Sequence, residues 1–344
     1  MARRFTITDI AAAAGVSKGA VSYALNGRPG VSEATRAKIL AIAAEMGFVP
    51  NRAARSLSVA TSQVVGLALK RSARTLGIEP YFMELISGIE ATLSAGSYGL
   101  TLQVVDTVEE EIEVYRRWWA ERRVDGVLLC DVGIADRRLD FVADLGLPAV
   151  AVGGPLAGAR LPAVWHDDAG PCLEILEYLH ALGHRRIARV AGFAHLLHTA
   201  IRDGAYAEAA AGLGLDSLTT VHSDYTGEQG ADLTRGLLAG ADRPTAIIFD
   251  NDVTAVAGLG VAHELGIDVP DRLSIVAWDD SPLCRLTHPA LTTLTRDITA
   301  YGSQCAAALL AVIGAAPDQD RTPSVRCRPA RLSPRGSTGP AVES

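Results

Sequence analysis

The residue types that could carry out covalent chemistry are sparse in this 344-residue chain, and none is spaced for it. Asp167-Asp168 and Asp279-Asp280 are carboxylate pairs adjacent on loops, with no acid–base pattern around them. Gly258-Leu259-Gly260 begins like a dinucleotide fingerprint, but Val261, Ala262 and His263 follow and the third glycine is missing. No G-x-S-x-G, H-E-x-x-H or Walker loop occurs. The five cysteines, Cys130, Cys172, Cys284, Cys305 and Cys327, form no C-x-x-C pair, which argues against a disulfide framework or structural zinc and for a reducing cytosol. The sequence therefore predicts no catalytic residue, no metal and no cofactor. For this chain the enzyme reading is poor.

What it binds is first suggested by charge. Residues 1–62 hold eight basic residues against three acidic ones, a balance of +5, although the whole chain carries 32 against 39. The remainder is thus left with 24 basic and 36 acidic residues, or −12. A basic head on an acidic body is the outline of a polyanion-binding module attached to something else, and chance clustering in a short window would look the same. With 49% hydrophobic and 21% charged residues, the chain can bury an interior of two or three domains. The longest uncharged stretch, Ile298 to Pro317, repeats apolar residues at Ile298, Tyr301, Cys305, Leu309 and Val312, the spacing of a buried amphipathic helix and not of a membrane span. No secretory signal is legible at the start, so a cytoplasmic protein with no membrane partner is expected.

The elements that must position these groups begin with three short helices. Thr6 stands three residues before Asp9, a capping-box signal, and Ile10, Ala11 and Ala14 then share one helix face. Gly15-Val16 stops that helix, and Ser17 caps a second from Lys18 to Leu25 with Val21 and Leu25 inward. Asn26-Gly27-Arg28-Pro29-Gly30 is a loop. Ser32 caps a third helix whose stripe is Ile39, Ile42, Ala43 and Met46, and Gly47 ends it. Two short helices around a glycine turn, packed by a third, make a helix-turn-helix.

Ile7-Thr8-Asp9-Ile10-Ala11, Ala14-Gly15-Val16-Ser17, Val21-Ser22, Leu25-Asn26-Gly27, Val31-Ser32-Glu33-Ala34-Thr35-Arg36 and Pro50-Asn51-Arg52-Ala53-Ala54-Arg55-Ser56-Leu57 together resemble the head of the lactose-repressor (LacI/GalR) family. The resemblance implies that Lys18, Gly19 and Tyr23 face base edges in the major groove of double-stranded operator DNA. A Lys18 contact to guanine would be worth about 1–3 kcal/mol of discrimination. Gly19 has no side chain to read with, and Tyr23 departs from the arginine many members carry. Thr6, Ser17, Ser22, Asn26, Ser32, Thr35 and Asn51 match phosphate-contact positions, for which a plain helix cap is the competing assignment. Asn51 to Ser58 is shorter than the roughly 12–15 residues a helix needs to persist alone. By resemblance it is a hinge helix that forms on DNA, with Ala54 and Leu57 at the minor groove and Leu57 as the wedge; an ordinary linker leucine is the alternative.

Beyond Gln63, strand-like runs (Val64–Leu69, Thr101–Val105, Gly126–Cys130, Ala149–Val152, then Ile187–Val190, Thr219–His222, Ala246–Phe249, Ser274–Ala277) alternate with helical patterns. Alternation of this kind implies parallel sheets covered by helices, in two lobes, with a ligand at the strands' carboxyl ends. The expected fold class is an N-terminal all-α helix-turn-helix domain plus an α/β two-lobed domain with parallel sheets, similar to the type I periplasmic-binding-protein fold. The divisions expected are 1–50 for the head, 51–61 for the hinge, 62–335 for the effector and dimerisation domain and 336–344 for a flexible tail. Three crossovers between lobes are expected near Leu161, Leu291 and Thr322.

Family marks continue through Leu182-Gly183-His184-Arg185-Arg186-Ile187, Arg243-Pro244-Thr245-Ala246-Ile247 and Pro289-Ala290-Leu291-Thr292-Thr293. By resemblance Arg202 is the effector clamp, its guanidinium fork suited to vicinal hydroxyls or carboxylates. Asn251 and Asp279 follow strands and would point into the cleft. For Arg202 and Asp279 the rival is an interlobe or surface salt bridge. Asp252 reads as a helix N-cap. Tyr81 and Phe82 would stack on a sugar face or belong to the core. His184 is expected to be structural, and His195 and His198 to face solvent or the rim. The resemblance implies a homodimeric repressor of carbohydrate-utilisation genes, released from a pseudo-palindromic operator by a small-molecule effector, a sugar. A co-repressor responding to a non-sugar metabolite is the nearest rival, and a carbohydrate-binding or enzymatic module with a DNA head is the other.

Overall fold

The computed structural model describes residues 5–48, 61–71, 76–158, 160–240, 242–315 and 324–342. The hinge positions Asn51, Ala54 and Leu57, and Thr322, lie outside them. Contacts divide the chain into two units, Met1–Gln63 and Val64–Ser344.

The first unit holds α1 (Ile7–Ala14), α2 (Lys18–Leu25) and α3 (Glu33–Glu45). Each begins where a hydroxyl satisfies an amide the helix cannot. Thr6 and Asp9 form a reciprocal capping box, Ser17 Oγ accepts from Ala20 N at 3.1 Å, and Ser32 Oγ accepts from Thr35 N at 3.3 Å. Gly15 closes α1 at φ 70°, a left-handed conformation that costs a glycine little. Ile10, Val21 and Ile39 are fully buried where the helices meet. Two of the head's cations are tied to this scaffold. Lys38 Nζ donates to Ala14 O at 3.0 Å and Arg36 to Ala24 O and Arg28 O, which satisfies carbonyls at the ends of α1 and α2.

The second unit has two six-stranded sheets. The first contains β1 (Val64–Lys70), β2 (Gly99–Val105), β3 (Gly126–Leu129), β4 (Ala149–Val152), β5 (Ala163–Trp165) and β11 (Val325–Arg326), in the order β11-β5-β4-β3-β1-β2. The second contains β6 (Arg186–Ala191), β7 (Ser217–His222), β8 (Ala246–Phe249), β9 (Ser274–Ala277), β10 (Thr292–Thr295) and β12 (Arg331–Ser333), in the order β12-β10-β9-β8-β6-β7. Pairing is parallel except for β10 with β12. Central strands such as β3, β4, β8 and β9 are buried throughout, as parallel strands covered on both faces must be.

The order of strands corrects the expected crossovers. After β5, β10 and β11 the chain changes sheets within 166–169, 296–297 and 327–330, later than Leu161, Leu291 and Thr322. None of those strands contains the four-residue apolar run that marks β4 or β8, so the chain was expected to leave before it had added them. The flexible tail is likewise corrected. Ser337 is fully buried, its Oγ donating to Ile275 O at 2.6 Å and accepting from Thr292 N, and Ala341 N donates to Leu182 O. Gly336 to Ala341 reads as loose by composition, yet it satisfies backbone groups at the end of β9.

Helix Ile298–Gly314 returns to the first lobe and packs on helix Pro80–Ala95 with Ile298, Tyr301, Cys305 and Leu309 buried. The backbones meet at Gly88 and Gly302, where Ser303 Oγ donates to Gly88 O at 3.1 Å. Among the described residues, no helix is long and apolar enough to cross a membrane.

Candidate functional site

On the head, Lys18, Gly19 and Tyr23 are exposed along α2, with Tyr23 44% accessible. Ser17 and Ser32 accept from backbone amides as caps, and the Ser17 hydroxyl hydrogen is left to donate to an anion at the α2 N-terminus. Thr6 differs: its hydroxyl already donates to Asp9 Oδ2 at 2.7 Å, so it serves the cap first. Asn26 Nδ2 reaches Ser22 Oγ at 3.4 Å, linking two of the expected phosphate contacts on the α2 surface. Thr35 shares its hydroxyl with Ser32 at 2.8 Å.

In the body, polar and aromatic side chains converge at the carboxyl ends of the strands of both sheets. Arg71 follows β1, Asp131 follows β3, Gly153 follows β4, Asp250 and Asn251 follow β8, and Asp279 follows β9. The crossovers add His166, Asp168 and Arg296. This is where parallel α/β sheets place ligands, because strand ends leave a crevice and unpaired backbone.

Arg202 lines the cleft and is also held in salt bridges with Asp168 of the first crossover and Asp250 after β8. It is buried, its Nε and a terminal nitrogen bond Asp168 Oδ1 at 3.0 and 2.7 Å, and its guanidinium lies 3.7 Å above the Trp278 ring. Asp250 is 3.5 Å away and is itself gripped by Arg189 at 2.8 and 2.6 Å. Burial pushes the Asp168 and Asp250 carboxyls up, but the arginines outweigh it and hold both below the usual range. Trp278 is fully packed and forms the floor under the guanidinium.

Asp279 pairs with Arg296 at 2.7 Å and faces the same cleft. Asn251 is the N-cap of helix Asp252–Glu264, its Oδ1 accepting from Thr254 N at 2.9 Å while Nδ2 donates to Tyr225 O. The cap assigned to Asp252 therefore belongs to Asn251. Asp252 sits one position inside, where burial and Asp279 raise its carboxyl to about 6. Tyr81 and Phe82 meet edge to face at 5.3 Å; Phe82 is 1% exposed and core, yet it carries Arg71 on its ring. His184 is structural, bonded to Thr245, Ser274 and Gly339 O. His195 stands exposed by Lys70, 3.4 Å away. His198 departs from the rim assignment: it lines the cleft, bonds the Tyr225 hydroxyl at 2.9 Å, and burial followed by Arg202 lowers it to about 4. Tyr225 approaches so closely because residue 192 is glycine, where a Cβ would fall 1.9 Å from the phenol.

Sequence reasoning missed Arg71, Glu79, Asp131, His166 and Asp168. Asp131 could have been found as the polar residue directly after the expected strand Gly126–Cys130, and Arg71 as the second residue after Val64–Leu69. Glu79 carried no such mark. Its carboxyl is buried and raised to about 8, by burial first and with Arg71 opposing from 3.9 Å, so it is protonated at neutral pH. Because the folded state holds this proton more tightly than the unfolded chain, the contribution is full below pH about 4.5 and disappears as pH rises through about 8. Relative to Glu79→Gln, the wild type should lose up to about 1.4 kcal/mol per pH unit across that window. Urea unfolding of both proteins from pH 5 to 8 checks this; parallel curves would place the carboxyl in a hydrated site. Several buried atoms facing the cleft, Arg71 Nε, Arg296 Nε, Glu79 Oε2 and His166 Nε2, make no hydrogen bond within the described residues. The site is built for a polar guest with aromatic flanks.

Comparison with known proteins gives a consistent picture. The model of bacterial regulatory proteins, lacI family, matches residues 6–51, and that of a periplasmic binding protein-like domain matches residues 176–338. The HTH-type transcriptional regulator CelR of Thermobifida fusca is 32% identical over 90% of this chain and 92% of its own. AglR of Rhizobium meliloti is 31% identical over 98% and 95%. Among solved structures, a LacI family regulator from Bifidobacterium animalis subsp. lactis is 35% identical with TM-score 0.74, covering 82% of this chain and all of its own. A CelR–cellobiose complex is 27% identical with TM-score 0.73, covering 97% of this chain and all of its own.

Proposed function

The chain belongs to the lacI family of bacterial regulatory proteins, DNA-binding transcriptional regulators that respond to a ligand, and we propose that its own ligand is a carbohydrate. In this reading it represses carbohydrate-utilisation genes as a homodimer on a pseudo-palindromic operator, and the sugar releases it. Lys18, Gly19 and Tyr23 meet base edges. Ser17, Ser22, Asn26, Ser32, Thr35 and Asn51 meet phosphates, with Thr6 holding the first helix in register. Ala54 and Leu57 enter the minor groove.

The observation that supports the sugar assignment best is Arg202 beside Asp168, Asp250 and Asp279, with the Tyr81, Tyr225 and Tyr301 rings in the same lining. An arginine fork and carboxylates bond paired hydroxyls, and ring faces take the apolar side of a pyranose. Cellobiose in a relative's complex supports the same class. Closing the lobes on the sugar would bias the hinge helices, through a coupling typically about 1–3 kcal/mol.

The test is operator release. A duplex selected from a random library by the full-length protein would be titrated by fluorescence anisotropy with mono- and disaccharides, nucleobases and amino acids. One sugar should weaken binding at least roughly fivefold, the lower end of such couplings. Tighter DNA binding with a nucleobase would favour the co-repressor reading, and turnover of any sugar would favour an enzyme.

A further inference from the structure

The cleft has two chambers, and they differ in kind. The inner one, beneath Arg202, encloses about 80 Å³. At roughly 10–15 Å³ for each water-sized centre, that is room for about half a dozen waters, the scale of one sugar ring. The outer one encloses about 780 Å³, within the range of sites that bury whole drug-sized ligands. Arg71, Glu79 and Tyr225 line both and form a collar between them.

The collar is built and unspent. Arg71 is 7% exposed, holds Asp131 at 2.9 Å and lies 5.3, 5.5 and 5.9 Å from the ring centres of Phe82, Phe193 and Tyr225. Its Nε and Glu79 Oε2 are buried without a hydrogen bond. Beyond them, the half-buried Phe193 ring meets Tyr225 edge to face at 5.7 Å and lines the outer chamber with Ile78 and Val253. Polar groups stand around that apolar floor, Lys70 on one lobe and Asp224 on the other.

Resting on the sugar reading above, we infer that the cleft takes a glycoside of at least two rings: one ring in the inner chamber, the linkage at the Arg71–Glu79 collar, and the next ring on Phe193. A single ring in the inner chamber would leave Phe193 and the rest of the outer chamber to water. A two-ring ligand fills both chambers and spans the lobes, since Arg71 lies on the first and Phe193 and Tyr225 on the second.

Calorimetry on the full-length protein tests this with glucose, cellobiose and maltose, and with galactose, lactose and melibiose. One disaccharide should bind at least about 100-fold more tightly than either of its component sugars. Phe193→Ala should cost that disaccharide roughly tenfold, the value of one ring contact, and leave the monosaccharide unchanged. The wild-type comparison stands even if the variant does not fold. A monosaccharide binding as tightly as every disaccharide that contains it overturns the two-ring inference and leaves the sugar reading intact. Equal losses for both sugars in Phe193→Ala also overturn it. Binding of a nucleobase such as hypoxanthine with no sugar bound removes both.

Discussion

Replacing Arg202 with alanine should abolish the ligand response and also weaken the body, by about 3–5 kcal/mol of unfolding free energy. The guanidinium is the main partner of Asp168 and an auxiliary one of Asp250, both buried. Removing it strands a carboxylate in a place water does not reach, whereas Asp250 keeps Arg189. All four tryptophans, Trp118, Trp119, Trp165 and Trp278, lie in the second unit, so their fluorescence reports its unfolding alone. The head has its own buried cluster around Ile10, Val21 and Ile39 and should keep its operator affinity without ligand. Combining Arg202→Met with Asp168→Leu separates stability from recognition, because an apolar pair of similar volume can replace a buried ion pair at little cost. Most of the lost stability should return, while the ligand response stays absent. A ligand response preserved in Arg202→Ala would move the pocket elsewhere.

Gly302→Ala should destabilise the first lobe despite placing a better helix former in a helix. Propensity favours the change by about 1 kcal/mol. Geometry opposes it more strongly: a Cβ at Gly302 would sit 2.1 Å from Leu85 O and 3.0 Å from Ile89 N, and the neighbour is backbone that cannot rotate away. Gly88 faces the reciprocal contact, 1.9 Å from Thr299 O. The two helices must separate, with a loss at or beyond the upper end of the roughly 1–3 kcal/mol that overpacking costs. Gly260→Ala is the control, since nothing lies within 4 Å of its added Cβ, and it should be neutral or stabilising. If both variants gained stability, the close approach of the helices would be wrong.

The head was the most legible part because its signals are local. Thr6, Ser17 and Ser32 act within three residues of themselves, and each cap forms as its spacing requires. Buried strands such as β1 and β8 were legible for a similar reason, as continuous apolar runs. The strands β5, β10, β11 and β12 were not, because none carries an apolar run of four residues and each is held by partners distant in sequence. Arg202 was picked out by resemblance and Asn251 and Asp279 by their place after strands; all three line one cleft, but their partners were hidden. Nothing near Arg202 in sequence announces Asp168, Asp250 or Trp278.

The amino-acid sequence by itself determined a basic three-helix head, an alternating α/β body, the lack of a catalytic or metal pattern and the family the chain resembles. These follow from charge counts, caps and hydrophobic periods, which act over a few residues. Only the tertiary structure decided which ions neutralise one another, that Asn251 and not Asp252 caps its helix, that the C-terminal segment is docked and that the cleft has two chambers. Those outcomes depend on distances between residues far apart in the chain and on burial, which makes an unpaired carboxylate costly and so selects its partner. A sequence read residue by residue contains neither quantity.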